Sequence, residues 1–310
     1  MKWKSKLKRV GNIKLVSTIL FMTLKPLTEQ NLVYRGKSKD VFRITKGQYR
    51  GKYRFVFTDR ATGYMERGKP VFDPGYDIVV GEIPEKGKIA CQFATYFFKL
   101  LQEKNIPSHY IDIIDDNVMI VEPAVPISMV IQAPKLKGTA PLQNLEWTWR
   151  NNALGSFWRR YPFVKPEKNL NKVVEVWTKG DSDTLITYEA IEAAGIMSRE
   201  EIKYVDKLIK KIASIVSGEF ASRNLHVIDG KFELGRLKHG DGKIVLIDEI
   251  SPDVLRICDG YVPSRKGDCQ AYRSCIKTSI KNGERKIKAR KQLTADELFK
   301  IFLDKAKWIK

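Results

Sequence analysis

The most regular alternation of apolar and polar positions lies late in the chain. Past Leu225, the residues Asp229, Lys231 and Glu233 fall on one side and Phe232 and Leu234 on the other. This period of two predicts a strand over 225–234. A polar, glycine-containing turn at 238–243 follows, and then the apolar run Ile244 to Ile247, a second and buried strand. That strand closes on Asp248 and Glu249, with Ser251, Pro252 and Asp253 behind them. Upstream, Ile202, Val205, Ile209, Ile212 and Val216 form one stripe at helical spacing, so 198–220 reads as an amphipathic helix. Ser198 with Glu201 is a capping box for its start. Ile89, Phe93, Tyr96, Phe97 and Leu100 predict another helix over 88–101, whose aromatic stripe is core packing. Leu32 to Val41 reads as a strand, a tight turn at Gly36 and the start of a second strand. Residues 54–58 alternate, and 111–122 hold one or two short strands. Leu145, Trp147 and Trp149 alternate with Glu146 and Thr148 in a strand closed by Arg150. Thr294 with Glu297 predicts the cap of a last helix carrying Leu298, Ile301 and Phe302.

Punctuation divides the chain into three parts. Residues 1–30 are a basic extension, 31–124 a first lobe, and 125–310 a second lobe ending in a basic helix. Pro123 and Pro126 open the passage between the lobes, and 127–143 has loop composition. The apolar run from Leu15 to Leu24 is too short to span a bilayer. With the basic residues before it, it imitates a signal peptide, but Lys25 and Pro26 follow and no small-residue cleavage site is evident. An extension or surface arm is the expectation, with Met22 as an alternative start. The 310 residues are 43% hydrophobic and 10% aromatic, a folded rather than disordered composition. The four cysteines have no C-x-x-C spacing and, with three histidines, make no zinc site; a reducing cytoplasm fits them. The net charge of +20 suits anionic substrates, nucleic acid or a negatively charged surface. Lysines are spread along the chain rather than clustered, which argues against a nucleic-acid function.

Several carboxylates close together repel one another unless a cation sits among them. One or two carboxylates plus phosphate oxygens are what Mg²⁺ prefers. Glu233 and Asp248 could therefore hold Mg·ATP, with Lys231 as a point charge for a phosphate. The other reading is a solvated hairpin with ordinary surface charges. Lys37 and Lys39, two apart beside Gly36, share a side on an extended chain and suit a polyphosphate, or else form a charged hairpin tip. Arg150 with Ser156 at the glycine turn of Gly155 makes a phosphate clamp, because the guanidinium is bidentate and backbone N–H groups are free there. Arg159 and Arg160 behind it could equally be a solvated turn.

The wording of these stretches resembles one family. Asp229, Lys231, Glu233 and Gly235, followed by Asp248, Glu249, Ser251, Pro252, Asp253, Arg256 and Asp259, are similar to the second signature of the SAICAR synthetase family. Leu234 stands where that family has Phe, and Cys258 where it has Trp. Glu146, Arg150, Gly155 and Ser156 resemble its first signature, with Asn144 in place of a proline and Leu154 in place of a small residue. Tyr34, Gly36, Lys37 and Lys39 are similar to its nucleotide-phosphate loop. Glu175, Lys179, Asp181 and Asp183 resemble a shortened acidic segment, and Arg273 a later arginine. Asp59 and Arg60 match the start of a further segment whose acidic end is missing. Residues 61–75 then read as an insertion, with Asp77 taking the acidic role.

The resemblance covers roughly residues 31–280. It implies an α+β chain, with an amino-terminal antiparallel sheet domain, a larger carboxy-terminal α/β domain, and ATP in the cleft between them. It further implies an ATP-dependent ligase joining L-aspartate to the carboxylate of carboxyaminoimidazole ribonucleotide, with Mg²⁺ as the metal. The residues implied for ATP are Lys37, Lys39, Lys179, Glu233 and Asp248, the last two also as metal ligands. Arg150, Ser156, Asp253, Arg256 and Arg273 are implied for substrates, and Lys231, Asp229 and Asp77 for catalysis, with Asp229 orienting Lys231. A homo-oligomer stays open. Two rivals also stay open: a divergent ligase or kinase with another acceptor, and a nucleic-acid-binding protein on an inactive scaffold.

Overall fold

A computed structural model of the chain describes residues 31–72, 78–128, 144–179, 183–223, 225–259, 276–281 and 284–289. Asp77, Asp181 and Arg273, the basic extension and the helix expected after Thr294 lie outside these residues. The chain falls into two compact units, residues 1–88 with 110–123, and residues 89–109 with 124–310.

The first unit holds a five-stranded antiparallel sheet. Its strands are β1 (Leu32–Arg35), β2 (Lys39–Arg43), β3 (Tyr53–Phe57), β7 (Tyr110–Asp115) and β8 (Val118–Val121), in the order β1-β2-β3-β8-β7. The segment read as an insertion forms most of a second sheet, in which β4 (Arg60–Glu66) sits between β5 (Lys69–Phe72) and β6 (Ile78–Glu82). Helix α1 (Lys86–Glu103) begins in this unit. Asp59 caps its entry, accepting hydrogen bonds from the backbone N–H of Glu85 at 3.2 Å and of Gly87 at 2.9 Å. Gly87 has to be glycine, because a Cβ there would lie 2.7 Å from the backbone of Phe57.

The second unit is built on a seven-stranded sheet. It contains β9 (Ala124–Pro126), β10 (Leu145–Asn152), β11 (Asn169–Thr178), β12 (Thr184–Ile186), β13 (Leu225–Leu237), β14 (Ile244–Ile247) and β15 (Leu255–Asp259). The main path runs β12-β11-β10-β13-β14, and the long β13 also pairs with β15 and β9. Helices α2 (Gly155–Arg160), α3 (Tyr188–Ala193) and α4 (Arg199–Ala221) accompany it. Two further strands pair with each other, β16 (Ile276–Lys281) and β17 (Glu284–Ala289); the sequence reads as a basic run over 281–293 and predicts no strand there.

Alternation decides which face of the large sheet is dry. Leu145, Trp147 and Trp149 on β10, Val176 on β11, and Phe232 and Leu234 on β13 are buried. Helix α4 packs on this sheet, and its stripe of Ile202, Val205, Ile209, Ile212, Val216 and Phe220 is buried as the spacing predicts. Its capping box forms: Ser198 Oγ accepts from the Glu201 N–H at 3.2 Å, and the Glu201 carboxylate accepts from the Ser198 N–H at 2.9 Å. The aromatic stripe of α1 meets the end of α4, with Phe97 and Phe220 ring centroids 5.5 Å apart. Trp147 and Trp149 have no exposed surface. Burying a side chain of that size is worth roughly 4–6 kcal/mol each before the entropy of ordering it is subtracted.

The indole of Trp149 lies against Gly230, where a Cβ would come within 3.0 Å of the ring and 2.6 Å of Leu255. Gly230→Ala is therefore expected to cost about 1–3 kcal/mol by overpacking. Urea denaturation should show a lower midpoint at an unchanged slope. A native midpoint would show that the core gives way around the extra methyl.

Candidate active site

The opposite face of the same sheet carries the charges. Register sets this arrangement. Glu146 pairs with Glu233, Thr148 with Lys231 and Arg150 with Asp229 across β10 and β13, while Thr148 also pairs with Glu175 on β11. Residues two apart on a strand share a face, so Glu146, Thr148, Arg150, Glu175, Trp177, Asp229, Lys231 and Glu233 lie on one surface. A slip of one residue would bury them all and expose the tryptophans.

One end of this face is a group of lysines and carboxylates. Lys231 Nζ lies 3.0 Å from Glu146, and Lys179 Nζ is paired with Glu233. Asp248, at the end of β14, is close enough to act on both Lys179 and Glu233. Burial and then the charge of Asp248 push the Glu233 carboxyl above the ordinary glutamate range, in spite of Lys179. Burial works against the ammonium of Lys179, yet Glu233 and Asp248 outweigh it and hold its pKa above the ordinary value. For Lys231 burial is likewise outweighed by Glu146. Asp248 has φ +69°, a left-handed conformation that an aspartate tolerates better than most residues. Glu146 was not expected at this site. The signal for it was its spacing of four from Arg150 on one strand.

The other end is an alternating row of arginines and carboxylates. The buried Arg150 donates from Nε to Glu175 at 2.6 Å, from Nη1 to Asp229 at 2.8 Å and from Nη2 to Ser156 Oγ at 3.1 Å. Asp229 also accepts Arg256 Nε at 2.8 Å, and Glu175 also accepts Arg160 Nη2 at 2.5 Å. Arg256 reaches over Gly155, where φ is +54° and a Cβ would come within 2.9 Å of its Nη1. Asp229 thus orients two arginines rather than Lys231, whose nearest carboxylate is Glu146 on the neighbouring strand. Asp253 sits in the turn before β15, its N–H donating to Ser251 Oγ at 3.2 Å.

In the first unit, Lys37 and Lys39 differ. Lys37 is exposed, whereas Lys39 is buried with its ammonium 5.4 Å from the Phe57 ring centroid. A bend at Lys37 and Ser38 interrupts the extended chain on which spacing would give them one side. Arg60 fastens this turn, donating to the Gly36 carbonyl at 2.8 Å and to Asp40 at 2.5 Å. A Cβ on Gly36 would lie 2.7 Å from the Lys39 carbonyl oxygen.

A buried carboxylate with a second acidic group close by, placed among lysines beside a row of arginines, is the kind of surface that can receive cations and phosphates. The family model for SAICAR synthetase matches residues 32–290. The phosphoribosylaminoimidazole-succinocarboxamide synthase of Clostridium tetani is 38% identical over 230 residues, 73% of this chain and 91% of that protein. That of Thermococcus sibiricus is 31% identical over 73% of this chain and 84% of its own. Among solved structures, a SAICAR synthetase in complex with ADP has 29% identity and a TM-score of 0.58, covering 73% of this chain and 83% of that one. The enzyme from Ehrlichia chaffeensis, 23% identical with a TM-score of 0.60 over 74% of this chain and 85% of that one, shares the fold. The chain belongs to the SAICAR synthetase family, ATP-dependent ligases of de novo purine biosynthesis.

Arg150 is buried and makes three side-chain hydrogen bonds on the charged face. Arg150→Met would leave Glu175 and Asp229 each without their buried partner, and is expected to destabilise by about 3–5 kcal/mol. Chemical denaturation measures this; a variant as stable as the parent would mean that Arg160 and Arg256 alone suffice for the two carboxylates.

Proposed function

We propose that this chain joins L-aspartate to the carboxylate of carboxyaminoimidazole ribonucleotide, with ATP as the phosphoryl donor and the cytoplasm as its compartment. The reading rests on one observation above all: Glu146, Lys179, Lys231, Glu233 and Asp248 gather from two strands and the ends of two others. A carboxylate does not couple to an amine unaided, because oxide is too poor a leaving group. In the proposed reaction a carboxylate oxygen takes the γ-phosphoryl group of ATP, and ADP departs. The amine of aspartate then attacks the acyl carbon, the C–O bond to phosphate breaks, and the nitrogen gives up a proton.

Glu233 and Asp248 fit a magnesium ion. Both are oxygen donors, and Glu233 is buried with the charge of Asp248 close by, a setting that a cation would relieve. Such an ion supplies charge neutralisation for phosphate oxygens. Lys231 and Lys179, with pKa values held above normal, stay protonated as point charges for the transferring group. Glu146 and Glu233 keep those ammonium groups in place. In this scheme the exposed arm of Arg256 and the hydroxyl of Ser156 take the ribonucleotide phosphate, with Arg150 behind them. Lys37, beside its glycine turn, is assigned to the nucleotide phosphates, and Lys39 to support of that turn.

Two outcomes test this. Lys231→Ala and Asp248→Asn, the second chosen because asparagine tolerates the left-handed backbone, should each lower kcat at least about a hundredfold with the circular dichroism unchanged. Near-normal turnover of either, assayed with the ribonucleotide and a panel of amino acids, would remove the assignment. Magnesium affinity should also fall on acidification. Because the Glu233 pKa is raised, its proton competes with the cation from above the ordinary glutamate range downward, and the loss is reversed as pH rises past that value. Calorimetric titration with Mg²⁺ at successively lower pH, compared with Glu233→Gln, checks this: the same pH dependence in parent and variant would show that Glu233 is not a ligand.

A further inference from the structure

The geometry points to Arg160 as a positioning residue for the ribonucleotide, acting through Glu175 and the buried Arg150; this rests on the function proposed above. Sequence spacing leaves Arg160 open between a functional role and a solvated turn; in the structure its side chain is only 28% exposed and is clamped from two directions. Its Nη2 donates to Glu175 Oε1 at 2.5 Å. Its guanidinium carbon lies 4.6 Å from the Trp177 ring centroid and 5.5 Å from that of Tyr161. Trp177 is itself pinned, its indole N–H donating to Thr148 Oγ1 at 3.0 Å. The clamp draws on three elements: α2 and the residue capping it supply Arg160 and Tyr161, β11 supplies Glu175 and Trp177, and β10 supplies Arg150 and Thr148.

The consequence follows from the sharing of Glu175. Its side chain is 6% exposed, and its two oxygens are divided between Arg160 and Arg150. Without Arg160, one buried carboxylate oxygen would lose its partner, which is costly in a dry setting. The nearest remedy is a second donor from Arg150, whose fork matches a carboxylate bidentately. Taking that donor would pull Arg150 away from Asp229 and Ser156, the two groups it sets in register with Arg256. Arg160 thus keeps Arg150 facing the ribonucleotide end. The lysine and carboxylate group at the other end shares no hydrogen bond with Arg160, so nucleotide binding should be spared.

The test compares Arg160→Gln, Arg160→Lys, Trp177→Leu and the double variant Arg160→Gln/Trp177→Leu. Steady-state kinetics and calorimetric binding of carboxyaminoimidazole ribonucleotide are the readouts. Arg160→Gln should raise both KM and Kd for the ribonucleotide about tenfold or more, with the KM for ATP within about twofold. Arg160→Lys, which keeps the ion pair, should recover part of the loss. Trp177→Leu should reproduce it, and the double variant should be no worse than the more impaired single. Unchanged ribonucleotide KM and Kd in Arg160→Gln would overturn the inference while leaving the proposed function intact. So would a rise in both KM values together with a lower melting temperature, which marks a merely structural residue. If the parent protein neither binds nor turns over the ribonucleotide, the proposed function fails and this inference falls with it.

Discussion

Everything at the candidate active site depends on the pairing of unlike charges across one half-buried face of an antiparallel sheet. Ten charged side chains and two hydroxyls could not share one sheet face if they were placed at random. Placed as they are, each ammonium or guanidinium group has a carboxylate within reach, and no carboxylate of the arginine row has fewer than two donors. The sheet enforces this through register, since the strand opposite decides which partner a side chain meets. The tryptophans and Phe232 on the other face hold that register by their burial.

The two ends of the face are chemically unlike. At one end lysines face carboxylates. An ammonium is a compact charge on a flexible stem and can follow a group that moves, such as a phosphoryl in transfer. At the other end planar guanidinium groups alternate with carboxylates, a rigid arrangement suited to holding a fixed anion. In the proposed function this difference in side-chain type separates a place for reaction from a place for anchoring, on strands that run through both.

Much of the fold was legible. The alternation at 225–234, the capping box at Ser198 and the aromatic stripe beginning at Ile89 each reflect a local rule that the chain obeys without help from distant residues. The family resemblance rested on charged positions, and the matches to known SAICAR synthetases agree with it. Other features were not legible. Nothing local marks residues 60–72 as a hairpin of a separate sheet rather than an insertion, and residues 281–293 read only as a basic run. Asp229 was expected to orient Lys231, its neighbour two positions on. The strand beside it supplied the partner instead: Glu146 lies diagonally across from Lys231, while the carboxylate of Asp229 is taken by Arg150 and Arg256.

By itself the sequence determined the periodicities, the caps, the glycines at tight turns and the set of side chains able to handle phosphate and a divalent cation. These follow from chemistry within a few bonds. Tertiary structure alone decided who pairs with whom: Lys179 with Glu233, Arg160 with Glu175 across 15 residues, and Arg150 with Asp229 across 79. It also decided that Lys39 is buried while Lys37 is exposed. Partner choice between distant strands is set by sheet order and register, and those come from the burial of a whole face rather than from any one residue.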